Sequence, residues 1–318
     1  MWRDHDPRWD DADRSRDDEI ERPDPSRGSR GASDPREVLP RDPRDVFTRG
    51  LALPRGSRRQ RVTFRDRSYE LRGSEVRLLA TVGAFRTVPQ RDLERSESDN
   101  VARREKDIEH LRSAGLIETR PFGAGSSRTT LVTLTDRGRE LLEAAQDRSI
   151  EDRQQFYAGF ARRPEIAHDA QLHRAYEHAA ERIKDRGGRI RRIVLDYELK
   201  REYQRFLQER NRRDRESDGR PDRTIDEVRE WTLAHRLPYE DEHVQFPDVR
   251  IEYEDRDGRR EIEDLEVITP HYRGAHAAAK GRSGFQQYRS SGGRVGGRCS
   301  RGGRGRPFDP RVAEDILS

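Results

Sequence analysis

The chain runs to 318 residues, enough for two domains, yet only 30% of them are hydrophobic and 40% are charged, which excludes one core spanning the whole length. Its 66 Lys and Arg nearly cancel its 62 Asp and Glu, so the formal net charge of +4 says less than where the charges fall. Cys299 is the single cysteine, which excludes an intrachain disulfide and a cysteine-rich zinc site. No run approaches the roughly 20 apolar residues of a membrane span, and the first residues, MWRDHDPRWDDADRSRDDE, lack an apolar signal region. A cytoplasmic protein with no membrane partner is expected.

Residues 1–60, dominated by Arg, Asp, Pro, Ser and Gly, are expected to form a disordered charged arm. A first folded unit follows over 68–148. In SEVRLLATVGAFRTV, the residues Val76, Leu79, Val82 and Phe85 recur at helical spacing behind a Ser74 cap. PQRDLER opens a short helix at Pro89, and NVARREKDIEHLRSAG predicts a third, capped by Asp99 or Asn100 and stopped at Gly115, with Val101, Ile108 and Leu111 inward. LIETRPF and TTLVTLT alternate as strands around the tip GAGSSR, and TDRGRELLEAAQ restarts a helix at a Thr or Asp cap.

A second unit is expected over 150–288. PEIAHDAQLHRAYEHAAERIKDRG reads as a helix, RIRRIVLD as a strand turning helical, and TIDEVREWTLAHRLP as a helix ended by Pro238. FPDVRIEYEDRDGRREIEDLEVI then predicts a hairpin about Asp257-Gly258. On its second strand Asp264 and Glu266 share one face, and folding about the turn returns Asp248 to that end. Three carboxylates drawn together repel, and a divalent Mg or Mn ion would relieve them. The same residues admit another reading: Asp248 as a strand-entry residue after Pro247, with Asp264 and Glu266 on a solvated edge, paired with Arg250 or Arg259. His168, His173 and His178 recur every five residues, which does not align two ligands on one helical face. They are expected as surface or capping histidines. The tail, 289–318, begins RSSGGRVGGRCSRGGRGRP and is expected to be flexible, suited either to charge-driven nucleic-acid contact or to a plain linker role.

Two resemblances attach to these motifs. The stretch from Gly115 through Leu134-Thr135-x-x-Gly138 resembles the MarR and PadR class of winged helix-turn-helix regulators. That resemblance implies double-stranded DNA as partner, with Arg103, Arg104 and Lys106 facing the major groove and Arg120 and Arg128 reaching the flanking backbone from the wing. Such regulators often dimerise, so a homodimer is a further expectation, although the long helices fit an intramolecular core equally well. Pro247-Asp248 followed by Asp264-x-Glu266 resembles the PD-(D/E)xK nuclease superfamily, with Glu266 where Lys is usual, Lys280 as a migrated lysine and Glu198 as the acid of the preceding helix. The resemblance implies an endodeoxyribonuclease in which Asp248, Asp264 and Glu266 hold Mg or Mn, Lys280 steadies developing charge and Glu198 assists.

The winged helix, the helix bearing His168-Asp169 and the PD…E…K…Y run ending at Tyr288 together resemble the replication-relaxation family of plasmid and conjugative-element proteins. The expected fold class is therefore α+β, a winged helix followed by a restriction-endonuclease-like α/β domain. The rival expectation is a non-catalytic regulator whose second domain serves binding or assembly.

Overall fold

The computed structural model describes residues 43–94, 101–124, 127–150, 152–160, 163–211, 223–268 and 282–289. Over these the protein is mixed α+β, with seven α-helices and four sheets among the described residues. Most of the expected charged arm, 1–42, and the tail beyond residue 289 lie outside them.

The chain enters by a short 3-10 helix, Pro43–Thr48, which corrects the expected arm boundary. Its Phe47 is fully buried, with ring centroids 5.5 Å from Phe85 and 5.4 Å from Tyr176. Flanking charge hid this anchor, since one aromatic residue with Leu51 and Leu53 suffices to fix a short segment. Next comes a hairpin not foreseen from sequence, β1 (Gln60–Phe64) and β2 (Arg67–Leu71), turning at Arg65 with φ of 50°. Its Tyr69 and Leu71 are buried while the alternate positions are arginine or polar.

Helix α1 (Gly73–Phe85) is buried nearly all round. Its N-cap is Arg72 rather than Ser74: the Arg72 N–H donates to Glu75 Oε2 at 3.0 Å, and Ser74 Oγ donates instead to Asp107 Oδ2 at 2.7 Å. Then follow β3 (Val88–Pro89), α2 (Gln90–Glu94), α3 (Val101–Ser113), the hairpin β4 (Ile117–Ala124) and β5 (Ser127–Leu134), and α4 (Asp136–Ala144). The sheet order is β3-β5-β4, so the two-residue strand between the first two helices pairs with the far strand of the hairpin. Gly115 ends α3 in the left-handed region at φ 71°. Thr135 caps α4 by accepting from Gly138 N at 3.1 Å, and a Cβ on Gly138 would lie 2.1 Å from Leu116 O. The Leu-Thr-x-x-Gly motif is thus a cap plus a close backbone approach.

Helix α5 (Arg163–Asp185) leads into β6 (Arg189–Leu195), α6 (Asp196–Gln208), α7 (Ile225–Ala234), the small hairpin β7 (Tyr239–Glu240) and β8 (His243–Val244), and then β9 (Val249–Glu254), β10 (Arg260–Ile268) and β11 (Gln286–Arg289). The sheet runs β11-β10-β9-β6, antiparallel except that β11 lies parallel to β10. Gly284, at φ 75°, precedes β11. α5 covers one face through Leu172, Tyr176 and Ile183 against Ile193, Ile251 and Val267. On the other face Val194, Leu199 and Leu237 pack with Trp231 and Phe246.

The two expected units share this core. A single buried cluster runs from Phe47 through Phe85 and Leu134 to Tyr176 and Val267. Across the junction Arg174 holds Asp92 at 2.6 and 2.8 Å, and Tyr157 N donates to Gly83 O at 2.8 Å. Residues 152–160, at the start of the second expected unit, thus pack against the first through Phe156 and Tyr157.

Candidate functional site

Two places concentrate the residues singled out from sequence: the helix α3 with the β4–β5 hairpin, and the end of the sheet where β9 begins.

On α3, Ile108 and Leu111 are buried as expected. Arg104 is not outward: it is 2% exposed and its Nη1 donates to Leu93 O at 2.7 Å. The carbonyls at the end of α2 lack helical partners, and a buried guanidinium satisfies one while fixing α3 against α2. Arg104 therefore positions α3 against α2 rather than facing outward. Lys106 is exposed, as is Arg120, whose guanidinium lies 4.4 Å from the Phe160 ring centroid. Arg103 and Arg128 have their backbones in α3 and β5, but their side chains lie outside the described ones. Among the described side chains, the exposed face of α3 is charge-balanced, with Glu105, Lys106, Glu109 and Arg112, the last two paired at 2.9 Å. Below it, Asp107, 1% exposed, receives Arg72 Nε at 3.1 Å, and Glu75, fully buried, lies 3.0 Å from His110 Nδ1.

At the sheet end the expected trio is divided. Asp264 stands opposite Arg250 in the ladder and accepts from its Nε and Nη2 at 2.8 and 2.9 Å; the 4% exposed guanidinium also donates to the carbonyls of His235 and Arg236. A forked pair of this kind satisfies both carboxylate oxygens. Asp248 Oδ2 accepts from Val267 N at 2.8 Å and lies 3.0 Å from His168 Nε2, on α5. Glu266 is 1% exposed rather than on a solvated edge. Lys280 lies outside the described residues.

Among the described residues no group of three or more His, Cys, Asp or Glu side chains could hold a metal ion. The convergence of Asp248, Asp264 and Glu266 on a shared Mg or Mn is corrected accordingly. The hairpin forms as expected, but Arg250, one of the two partners weighed for Asp264, supplies the positive charge. These residues as arranged do not fit a divalent ion.

His168, expected as a surface or capping histidine, instead meets Asp248 at the sheet end. Burial opposes charging its ring, but hydrogen bonds to Asp169 and Asp248 outweigh this and push its pKa up to about 10. Asp169 is itself 2% exposed, with the Tyr197 hydroxyl 3.5 Å from both of its oxygens. The signal available was the His-Asp dipeptide on an otherwise apolar helix face; the five-residue spacing bore only on zinc. His173 is also a correction, buried edge-on against Phe85 at 5.0 Å rather than at the surface.

Glu198, in the first turn of α6, is 3% exposed, 3.3 Å from Arg192 Nη1, and burial pushes its pKa up to about 7 against the pull of Arg192. Arg192 in turn grips Glu252 at 2.8 and 3.1 Å. A cleft of about 220 Å³ adjoins these groups, lined by Arg192, Glu202, His235, Arg250 and Glu252 among others, but Arg192 and Arg250 are committed to Glu252 and Asp264. No described helix is long and apolar enough to cross a membrane. Comparison of the chain with protein-family models, with curated proteins and with solved structures returned no match.

Proposed function

We propose that the chain is a double-stranded-DNA-binding protein of the winged-helix kind, and that its second unit braces this module and serves binding or assembly without cutting. The order helix, strand, helix, helix, hairpin, with the β3-β5-β4 sheet, is the observation that carries this reading. It is the arrangement expected of a winged helix-turn-helix, with α3 as the groove-facing helix held at a set angle by Arg104. The replication-relaxation resemblance extends the reading to a regulator of plasmid or mobile-element type, and a homodimer belongs to the same proposal.

Hydrolysis is the less favoured alternative because both oxygens of Asp264 and Oδ2 of Asp248 are already engaged within the fold. Arg250 occupies Asp264, and His168 with the Val267 N–H occupies Asp248. Full-length protein incubated with supercoiled and linear duplex plus Mg²⁺ or Mn²⁺, beside Asp248→Ala and Asp264→Ala, separates the two. Duplex binding without nicking in any arm is the expected result. Nicking lost in both variants would overturn the non-catalytic reading, and absence of binding would overturn the DNA reading. Light scattering of the same sample reads the oligomer.

A further inference from the structure

The helix expected to meet DNA is not where the positive charge lies. Between residues 55 and 67 there are six arginines (Arg55, Arg58, Arg59, Arg61, Arg65 and Arg67) and one acid, Asp66, so thirteen residues carry 6 − 1 = +5 while all 318 carry +4. All six arginines are exposed. They occupy β1, its lead-in, the tight turn and the first position of β2.

An arginine-rich chain offers a plain explanation for any one exposed arginine, so the comparison with other surfaces decides. Among the described residues, exposed arginines elsewhere either pair with acids, as Arg112 does with Glu109 and Arg210 with Glu227 at 2.9 and 2.6 Å, or stand without an ion pair at scattered positions (such as Arg120, Arg148, Arg153, Arg189, Arg205 and Arg236) rather than crowded into one short ribbon. In the hairpin, Arg59 has Glu75 and Arg65 has Glu140. Arg55, Arg58, Arg61 and Arg67 have no ion pair among the described residues. Arg61 donates from Nε to Ser68 Oγ at 3.1 Å, although Glu70 stands opposite it in the ladder. Folding needs none of these four, because Tyr69 and Leu71, with Val62 and Phe64 behind them, do the packing. Unmatched like charges crowded on a small ribbon repel one another, and an external anion relieves that cost.

The placement supplies the second argument. The ribbon's root is tied to α3 through buried acids: Arg72, at the end of β2, donates to Asp107 of α3, and Arg59 shares Glu75 with His110 of α3. Ribbon and helix therefore move as one surface.

We propose that the β1–β2 ribbon and its lead-in form a phosphate-contacting surface that grips duplex DNA beside α3 and supplies most of the electrostatic attraction that α3 lacks. Exposed guanidiniums suit phosphate oxygens in geometry as well as charge. The surface rests on the DNA-binding reading above and adds where the backbone is held.

The test is the salt dependence of binding by the full chain to a labelled 30-base-pair duplex, followed by anisotropy from about 50 to 200 mM salt. Each phosphate contact contributes about 0.9 to the slope of log affinity against log salt, so replacing Arg55, Arg58, Arg61 and Arg67 together by Ala should lower it by about 2–4 and weaken binding at least tenfold near 0.1 M salt. The matching set of four Arg→Lys changes should keep the slope within about one unit. If the quadruple Ala variant loses its cooperative melt, the four single variants carry the test, each lowering the slope by about 0.9. Duplex binding by the parent protein with unchanged slope in the Ala variants overturns this inference and leaves the DNA reading standing; no duplex binding by the parent overturns both. Equal preference for single-stranded RNA of the same length, lost equally on substitution, overturns the assignment to duplex.

Discussion

The α3 region and the β9–β10 sheet end handle buried acids by the same means and to different ends. Beneath α3, Glu75 and Asp107 are answered by arginines and a histidine that tie a hairpin and two helices together under its exposed face. At the sheet end Arg250 takes both oxygens of Asp264, while His168 and the Val267 N–H meet Oδ2 of Asp248, so these three oxygens are committed to the fold. A cluster of acids in sequence therefore identifies a metal site only if nothing inside the fold supplies the cation. In a chain with 66 basic residues, that condition is hard to meet.

The sharpest way to break this comparison is Arg250→Ala. Removing one member of a buried pair strands the other charge, and a loss of about 3–5 kcal/mol is expected, read as a shift in the denaturant midpoint. Replacing both residues, as Arg250→Met with Asp264→Leu, should recover most of that loss, because apolar substitution removes the desolvation cost with the pair. Equal loss in the single and double variants would mean that the bonds from Arg250 to the carbonyls of His235 and Arg236 matter more than the pair.

Glu198 makes a smaller and opposite prediction. Its folded pKa, about 7, lies above the ordinary 4.5, so the stability contributed by its neutral form is complete below about pH 4.5 and is lost as pH rises through 7. Glu198→Gln should therefore be more stable than the parent above pH 7, by on the order of 1–3 kcal/mol, with the gap closing toward pH 4.5. Denaturant titrations at pH 4.5, 6 and 8 check it; a variant less stable at pH 8 would show that the contact with Arg192 outweighs burial.

His168 titrates the other flank. Its folded pKa of about 10 exceeds the usual 6.5, so its contribution is full below about pH 6.5 and fades as pH climbs through 10. His168→Gln should cost about 1–2 kcal/mol at pH 6, a figure reduced for its partial exposure, and much less at pH 10. A constant deficit across that range would assign the histidine a packing role.

Legibility followed the range of the forces. Helical spacing in Val76–Phe85, the Thr135 cap, Gly115 and the Asp257-Gly258 turn are local signals, and the elements they announce form where expected. Carboxylate partners are less local: Arg250, 14 residues from Asp264, is one of two partners the hairpin offered, whereas His168 stands 80 residues before Asp248 and only the closed sheet and α5 bring that pair together. Phe47 and the β1–β2 ribbon were masked by composition, since charge-rich segments can still fold where a few apolar residues meet an existing core.

The smallest expected effect tests whether exposure is what separates these pairs. Arg112 and Glu109 on α3 meet at 2.9 Å, no farther apart than Arg250 and Asp264 at 2.8 Å, but their side chains are 52% and 61% exposed. Water and salt screen the attraction, and ordering two long side chains offsets much of what remains. Arg112→Ala should therefore change stability by no more than about 0.5 kcal/mol, within the range of exposed helical pairs. If it costs as much as Arg250→Ala, distance and not burial governs ion pairing in this protein, and the contrast between the exposed face of α3 and the buried sheet end loses its physical basis.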